Sequence, residues 1–236
     1  MVHGAFAGAW IWEPLAEVLE RAGHTVEAMD LPGSGDDRTP VAEVTLDAYA
    51  QRVCEALAER PERAVVVASS MGGVVATQAV ARSPESVATI VYSAAFVPQH
   101  GQSLLDLTRL PEGAGDQTQV NLVVEGDPPV ATLPDDVTRN LTMHACSDEV
   151  AAWAIERRRP QPVGPFAEPV DLAGYDFEGI TRAYVLCKGD ESIPPALQRR
   201  MLETTGCDPV FELDTDHVPH LSRTAALADL LDQLAQ

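Results

Sequence analysis

An α/β architecture, with a mostly parallel sheet, helices on both faces and an inserted helical cap, is what this sequence predicts. Three observations carry the expectation. Short β-branched apolar runs alternate with stretches of helical spacing, the pattern of a parallel sheet covered on both sides. The run Val65-Val66-Val67 passes through small residues directly into a helix-forming stretch at Gly72-Gly73. The alternation stops from 98 to 179 and then resumes. A chain of 236 residues with 45% hydrophobic content suffices for one large domain, or for a core plus a lid. We therefore assign 1–97 and 180–236 to the core and 98–179 to a cap.

In chain order, 10–22 carries apolar residues at helical spacing. Pro14 is tolerated only in a first turn, so the regular helix starts near Trp12 or Glu13, and Gly23 ends it. The stretch 25–29 alternates and reads as a strand. A second amphipathic helix spans 46–58, with Thr45 as its N-cap. The strand containing Val65-Val66-Val67 and the helix after Gly72-Gly73 follow, then a buried strand at 87–92. Between 98 and 179 prolines, glycines and acidic residues are frequent and no clean strand is visible. Helical patches lie near 134–144 and 148–158, and Trp153, Phe166 and Phe177 offer apolar anchors. After the insertion come a strand at 183–187, a helix opened by Pro194-Pro195, a strand at 210–213, and a terminal helix at 225–234 with Ser222 as its cap.

The net charge of −20 repels phosphate backbones, so nucleic acid is excluded as a partner; the acidity is scattered, as on a soluble surface. Cys54, Cys146, Cys187 and Cys207 form no CxxC pair and no zinc spacing, which points to free thiols. No basic-apolar leader and no membrane-length apolar run appear in these residues. A cytoplasmic setting with no membrane partner is the expectation.

The chemistry starts from Ser70. Ala68 and Gly72 flank it at two residues on each side, the small-x-Ser-x-Gly register of a strand–turn–helix that holds a serine clear of both elements. Ser69 is the rival nucleophile, but in its register the small positions fall on Val67 and Met71. A serine needs a base and the base an orienting acid. Asp190 follows the strand at 183–187, and His217 follows the strand at 210–213. Functional groups gather at such strand ends. Asp214 and Asp216 are rival acids and His220 a rival base. Each of these residues also has an ordinary reading, as a turn aspartate or a loop histidine. For an oxyanion, the Met71 amide at the helix start and the Ala5 amide in the loop His3-Gly4-Ala5-Phe6 are the candidate donors. His3 reads as the residue that ties that loop down.

These residues resemble the α/β-hydrolase superfamily and, within it, the plant methylesterases and hydroxynitrile lyases with their bacterial relatives. The likeness rests on His3-Gly4-Ala5 with Trp10-x-Trp12, Gly23-His24-x-Val26 and Asp30-Leu31. It continues through Ala68-Ser69-Ser70-Met71-Gly72-Gly73, Asp190 with Ile193-Pro194-Pro195 and Gln198-Arg199, and Asp216-His217. It implies an α/β-hydrolase fold, a serine hydrolase with a helical cap, and no metal or organic cofactor. Ala68 and Ser69 stand where the family usually has glycine and histidine. Only Met1-Val2 precede His3, where the family has several strand residues, so a short, weakly anchored strand is expected there. The lyases carry a hydroxyl residue in the oxyanion loop and a lysine after the catalytic histidine. Ala5 and Val218 occupy those places here, which favours hydrolysis over cyanohydrin cleavage.

The expected activity is hydrolysis of a carboxylic ester of a small or medium apolar small-molecule substrate through an acyl-enzyme. The same triad would serve lactone or thioester hydrolysis or polyketide cyclisation, and the capped cavity would serve a ligand sensor. Phe6, Phe96 and Trp153 are the candidate substrate-binding residues. The run Arg157-Arg158-Arg159 reads first as a solvated helix end and second as an attractor of a carboxylate.

Overall fold

The computed structural model describes residues 1–172, 174–175 and 177–235. A 3-10 turn, Ala9–Trp12, runs into helix α1 (Glu13–Arg21), with Pro14 in its first turn, where a missing N–H is harmless. Helix α2 (Leu46–Ala58) begins at Thr45, whose hydroxyl accepts the Ala48 amide at 3.0 Å. Strand β1 (Ala64–Ser70), helix α3 (Gly72–Arg82) and strand β2 (Val87–Ala95) follow. The insertion holds α4 (Leu104–Thr108), α5 (Gln117–Asn121), β3 (Val123–Glu125), β4 (Val130–Thr132), α6 (Asp135–Leu141), α7 (Asp148–Arg157), β5 (Gln161–Pro162) and α8 (Gly164–Ala167). The core resumes with β6 (Thr181–Cys187), α9 (Pro195–Thr205), β7 (Val210–Leu213), α10 (Pro219–Ser222) and α11 (Thr224–Leu234).

The main sheet runs β1-β2-β6-β7, every pair parallel. Side chains alternate between its faces, as strand geometry requires. Val66, Ala68, Ile90, Tyr92, Tyr184 and Leu186 join one buried layer with α2, α3 and α9. Val67, Val91, Ala183 and Val185 join the other with α1 and α11. Beyond β1, among the described residues, the sheet is extended by single-residue bridges through Val2, which pairs in parallel with Ala68 on one side and with Met29 on the other. The strand expected at 25–29 therefore contracts to one rung at Met29, because Val2 offers it a single partner. Below Val2 the sheet opens into a cavity of about 680 Å³. Val65, Val66 and Val67 wall it on one side, Val26 and Glu27 on the other, and Val53 and Ala56 of α2 above.

Two further expectations change. The insertion is not strandless: β3, β4 and β5 form a small antiparallel sheet. Its strands of two or three residues are too short to show periodicity. The end of the insertion packs back on the core, burying Phe166 and Phe177, and the Gln78 amide exchanges two hydrogen bonds with the Asp171 backbone at 2.7 and 2.8 Å. Ser222 is not the cap of the terminal helix. It closes α10, and its hydroxyl donates to Asp216 Oδ1 at 2.7 Å. Among the described residues no helix is long and apolar enough to cross a membrane.

Candidate active site

Ser70 ends β1 and stands in the left-handed region at φ +54, with α3 starting two residues later. A non-glycine residue at positive φ is strained, and the surrounding backbone holds it there. The Phe96 amide donates to the Ser70 carbonyl at 3.1 Å, and β2 accommodates the turn with a register shift opposite Ser69 and Ser70. Small residues allow the approach. A Cβ on Gly72 would lie 2.6 Å from the Val2 and His3 carbonyls, and one on Gly73 would strike the Phe96 carbonyl. Ala68 is wholly buried and bridged to Val2, so alanine fits where the resemblance has glycine. Ser69 stays in the β1 ladder, its amide donating to the Val2 carbonyl at 3.1 Å.

The loop after Val2 comes up beside the serine. A Cβ on Gly4 would lie 2.8 Å from Ser70 Cβ. His3 fixes this loop: its Nδ1–H donates to the Gly4 carbonyl at 2.7 Å, and its Nε2 accepts the Leu31 amide at 3.1 Å. That pairing requires the neutral ring, and burial lowers the His3 pKa accordingly. The loop is also tied to the insertion. The Phe6 amide donates to Gln161 Oε1 at 3.4 Å, and the Arg159 amide donates to the Phe6 carbonyl at 3.0 Å. Among the described residues no protein acceptor takes the amides of Ala5 or Met71.

Asp190 and His217 meet. His217 Nδ1 lies 2.8 Å from Asp190 Oδ2, and both residues are buried. Asp190 Oδ1 accepts the amides of Ser192 and Ile193 at 2.8 and 2.9 Å, and the Gln198 amide reaches Oδ2 at 3.3 Å. With Nδ1–H donated to the carboxylate, Nε2 carries the free lone pair. Burial opposes a charged His217, but the charge and hydrogen bond of Asp190 outweigh it, helped by Asp216 and Asp116, and the pKa rises above 6.5. Ser70 and His217 line one cavity of about 100 Å³, with no hydrogen bond between them.

The rivals are placed elsewhere. Asp216 accepts the Ala145 amide at 2.8 Å and the Ser222 hydroxyl at 2.7 Å, pinning the insertion to the histidine loop. His220 packs on Trp12, ring centroids 4.7 Å apart. Burial lowers its pKa to about 3, so it is a neutral wall of the cavity.

Of the three aromatic residues expected at the substrate, Phe6 and Phe96 line the cavity. Trp153 does not. It meets Trp10 edge-on at 5.4 Å, and Trp10, which does line the cavity, stands in its place. The arginine run is a solvated helix end only at Arg157, which is exposed in the last turn of α7 and donates to the Trp153 carbonyl at 2.9 Å. Arg157 stacks on Trp153 at 4.8 Å, and Arg159 binds the Gly35 and Asp37 carbonyls at 2.8 and 3.0 Å. Arg158 reaches the cavity wall, where it binds Thr138, the Leu133 carbonyl and Asp135. Sequence reasoning passed over Asp116 as a cavity residue, and it named His220 only as a rival base and Arg158 only within the arginine run. Asp116 carried only the signal of a helix cap. Among the described residues no group of three or more His, Cys, Asp or Glu is arranged to hold a metal ion.

Comparison with known proteins bears on the family and the fold. The family model described as "Alpha/beta hydrolase family" matches residues 1–230. The chain is similar to Methylesterase 7 of Arabidopsis thaliana, 30% identical over all of this chain and 95% of that protein. It is 28% identical to Putative methylesterase 11, chloroplastic, of Arabidopsis thaliana, again over all of this chain but spanning only 63% of that protein. The crystal structure of polyneuridine aldehyde esterase superposes with a TM-score of 0.88 at 26% identity, covering 100% of this chain and 97% of that one.

Proposed function

From this chain's membership of the alpha/beta hydrolase family, we infer that it is a serine hydrolase that cleaves carboxylic esters of small or medium apolar substrates. One observation carries the reading. His217, joined to Asp190 at 2.8 Å, lines the same cavity as a serine strained to φ +54 at a strand–helix turn. The names of the relatives, methylesterases and an esterase, support it.

In this reading His217 Nε2 takes the proton of Ser70 Oγ as the oxygen attacks the ester carbonyl. The uncommitted amides of Ala5 and Met71 hold the oxyanion, the latter helped by the dipole of α3. His217 then gives the proton to the departing alcohol, and water, activated by the same ring, releases the acid from Ser70. Asp190 keeps Nδ1–H oriented and stabilises the imidazolium. Catalytic hydrogen bonds of this kind tighten when substrate arrives. The apolar walls, among them Phe6, Ile11, Phe96 and Leu104, suit an apolar substrate body.

The test is Ser70→Ala. Turnover of p-nitrophenyl acetate and labelling by a fluorophosphonate should both vanish, with the melting temperature retained. Turnover at the wild-type rate would refute the assignment.

A further inference from the structure

Asp116 is a second carboxylate in the cavity, and the proposed ester chemistry does not use it. It is 4% exposed and lines the wall with Ser70 and His217. Its Oδ1 accepts the amides of Thr118 and Gln119 at 2.8 and 3.1 Å, capping α5. Its Oδ2 has no hydrogen-bond partner among the described residues, and no cation pairs with it. A cap needs one oxygen, and serine or threonine supplies it without a charge. This chain uses Thr45, Ser103 and Ser147 at three other helices. The charge at 116 is thus surplus to the cap, and a buried unpaired carboxylate is costly. Burial, opposed by the two amides and by His217 and reinforced by Asp190, pushes its pKa up to about 6, so at neutral pH it is largely an anion. Its position is fixed. The Gln117 amide donates to the Glu191 carbonyl at 3.3 Å, and the Thr118 and Ser192 hydroxyls meet at 2.6 Å. Both tie α5 to the loop that holds Asp190, so the free oxygen is preorganised relative to the reacting groups. The cavity wall includes apolar Leu104, Leu122, Phe166 and Ile193 alongside polar Thr118, Gln119 and Ser192, and the cavity's arginine, Arg158, is engaged by Thr138, Leu133 and Asp135.

We propose that Asp116 is a specificity-determining residue whose free carboxylate oxygen accepts a hydrogen bond from a hydroxyl or protonated amine on the substrate. The preferred substrates are then apolar esters that carry one such donor. The inference rests on the ester-hydrolase reading, and its test separates the two.

Matched methyl esters are compared: a plain acyl chain, the same chain with one hydroxyl, and the same chain with one primary amine. Matched non-hydrolysable ketones are bound calorimetrically in parallel. Wild type should favour a donor-bearing ester over the plain one by about tenfold in kcat/KM, expressed in KM, and the corresponding ketone by a similar factor in Kd. Asp116→Ser keeps the cap and removes the free oxygen, so the ratio should fall to near one for both donors. Asp116→Asn keeps the cap and puts an N–H₂ there, so it should abolish the amine preference in particular. A wild-type ratio of one for both donors, in turnover and in ketone binding, would overturn the proposal. So would variants that keep the wild-type ratio. If no ester is turned over, the hydrolase reading fails, and the ketone arm still decides the role of Asp116.

Discussion

Val2 separates two unlike ends of the sheet. Above it, toward the strand C-termini, backbone and side chains interlock: the Gly4 loop lies against Ser70, His3 bonds both Gly4 and Leu31, and Asp216 joins the insertion to the histidine loop. Below it, the space between β1 and 25–27 is open, with a cavity of about 680 Å³ against about 100 Å³ at the serine. One residue, paired on both sides and fully buried, anchors the loop that lies against Ser70, even though the space beneath is open. The difference shows that positional precision at a site does not require dense packing throughout the sheet. It requires hydrogen bonds and close contacts at the reacting groups themselves.

The contrast can be broken most severely at the acid. Asp190→Asn should leave the amides of Ser192 and Ile193 bonded but disfavour the Nδ1–H tautomer of His217, and kcat should fall by about 10⁴. The wild-type pH profile sharpens the same point. His217 must be neutral to act as base and its pKa is raised, so kcat/KM should fall on acidification with an inflection above 6.5. An inflection below 6.5 would contradict the dominance of Asp190.

Gly4→Ala is the next largest disturbance. The new Cβ has only 2.8 Å to Ser70 Cβ and must displace the loop or the serine. A misplacement of this kind should lower kcat/KM about 100-fold while the melting temperature changes little.

The filled and open regions should then answer differently to the same substitution. Ala76 in α3 is fully buried in the packed layer, and Ala76→Leu should cost about 1–3 kcal/mol by overpacking. Ala56 in α2 faces the open cavity, and Ala56→Leu should be neutral or stabilising by up to about 1 kcal/mol. Equal losses in urea denaturation would mean that the lower space is not available to a side chain.

A pH-dependent effect concerns Asp116. Its folded pKa is raised to about 6, so between about pH 4 and 6 the native state holds a proton that the unfolded chain has lost. Stability therefore falls as pH rises through that window, and the cost persists above it. Asp116→Asn should be the more stable protein by up to about 3 kcal/mol at pH 7.5, with the gain vanishing near pH 4, as read by urea melts at both values.

The sequence by itself determined the frame. The β-branched run before Ser70, the small residues around it and the spacing of the later strands are local signals of period and size, and β7 stands at 210–213 as its pattern predicts. The chain order of Ser70, Asp190 and His217 was legible because the first ends a strand and the other two come shortly after one. Tertiary structure decided what faces what. Trp10 rather than Trp153 became cavity wall, three consecutive arginines went three ways, Ser222 turned to Asp216, and Asp116 became more than a cap. Such outcomes depend on which neighbours other segments bring, and a side chain's own residue type does not carry that information. The rung at Val2 is the clearest case. A bridge is a property of three chain segments at once, so no window around Val2 or Met29 contains it.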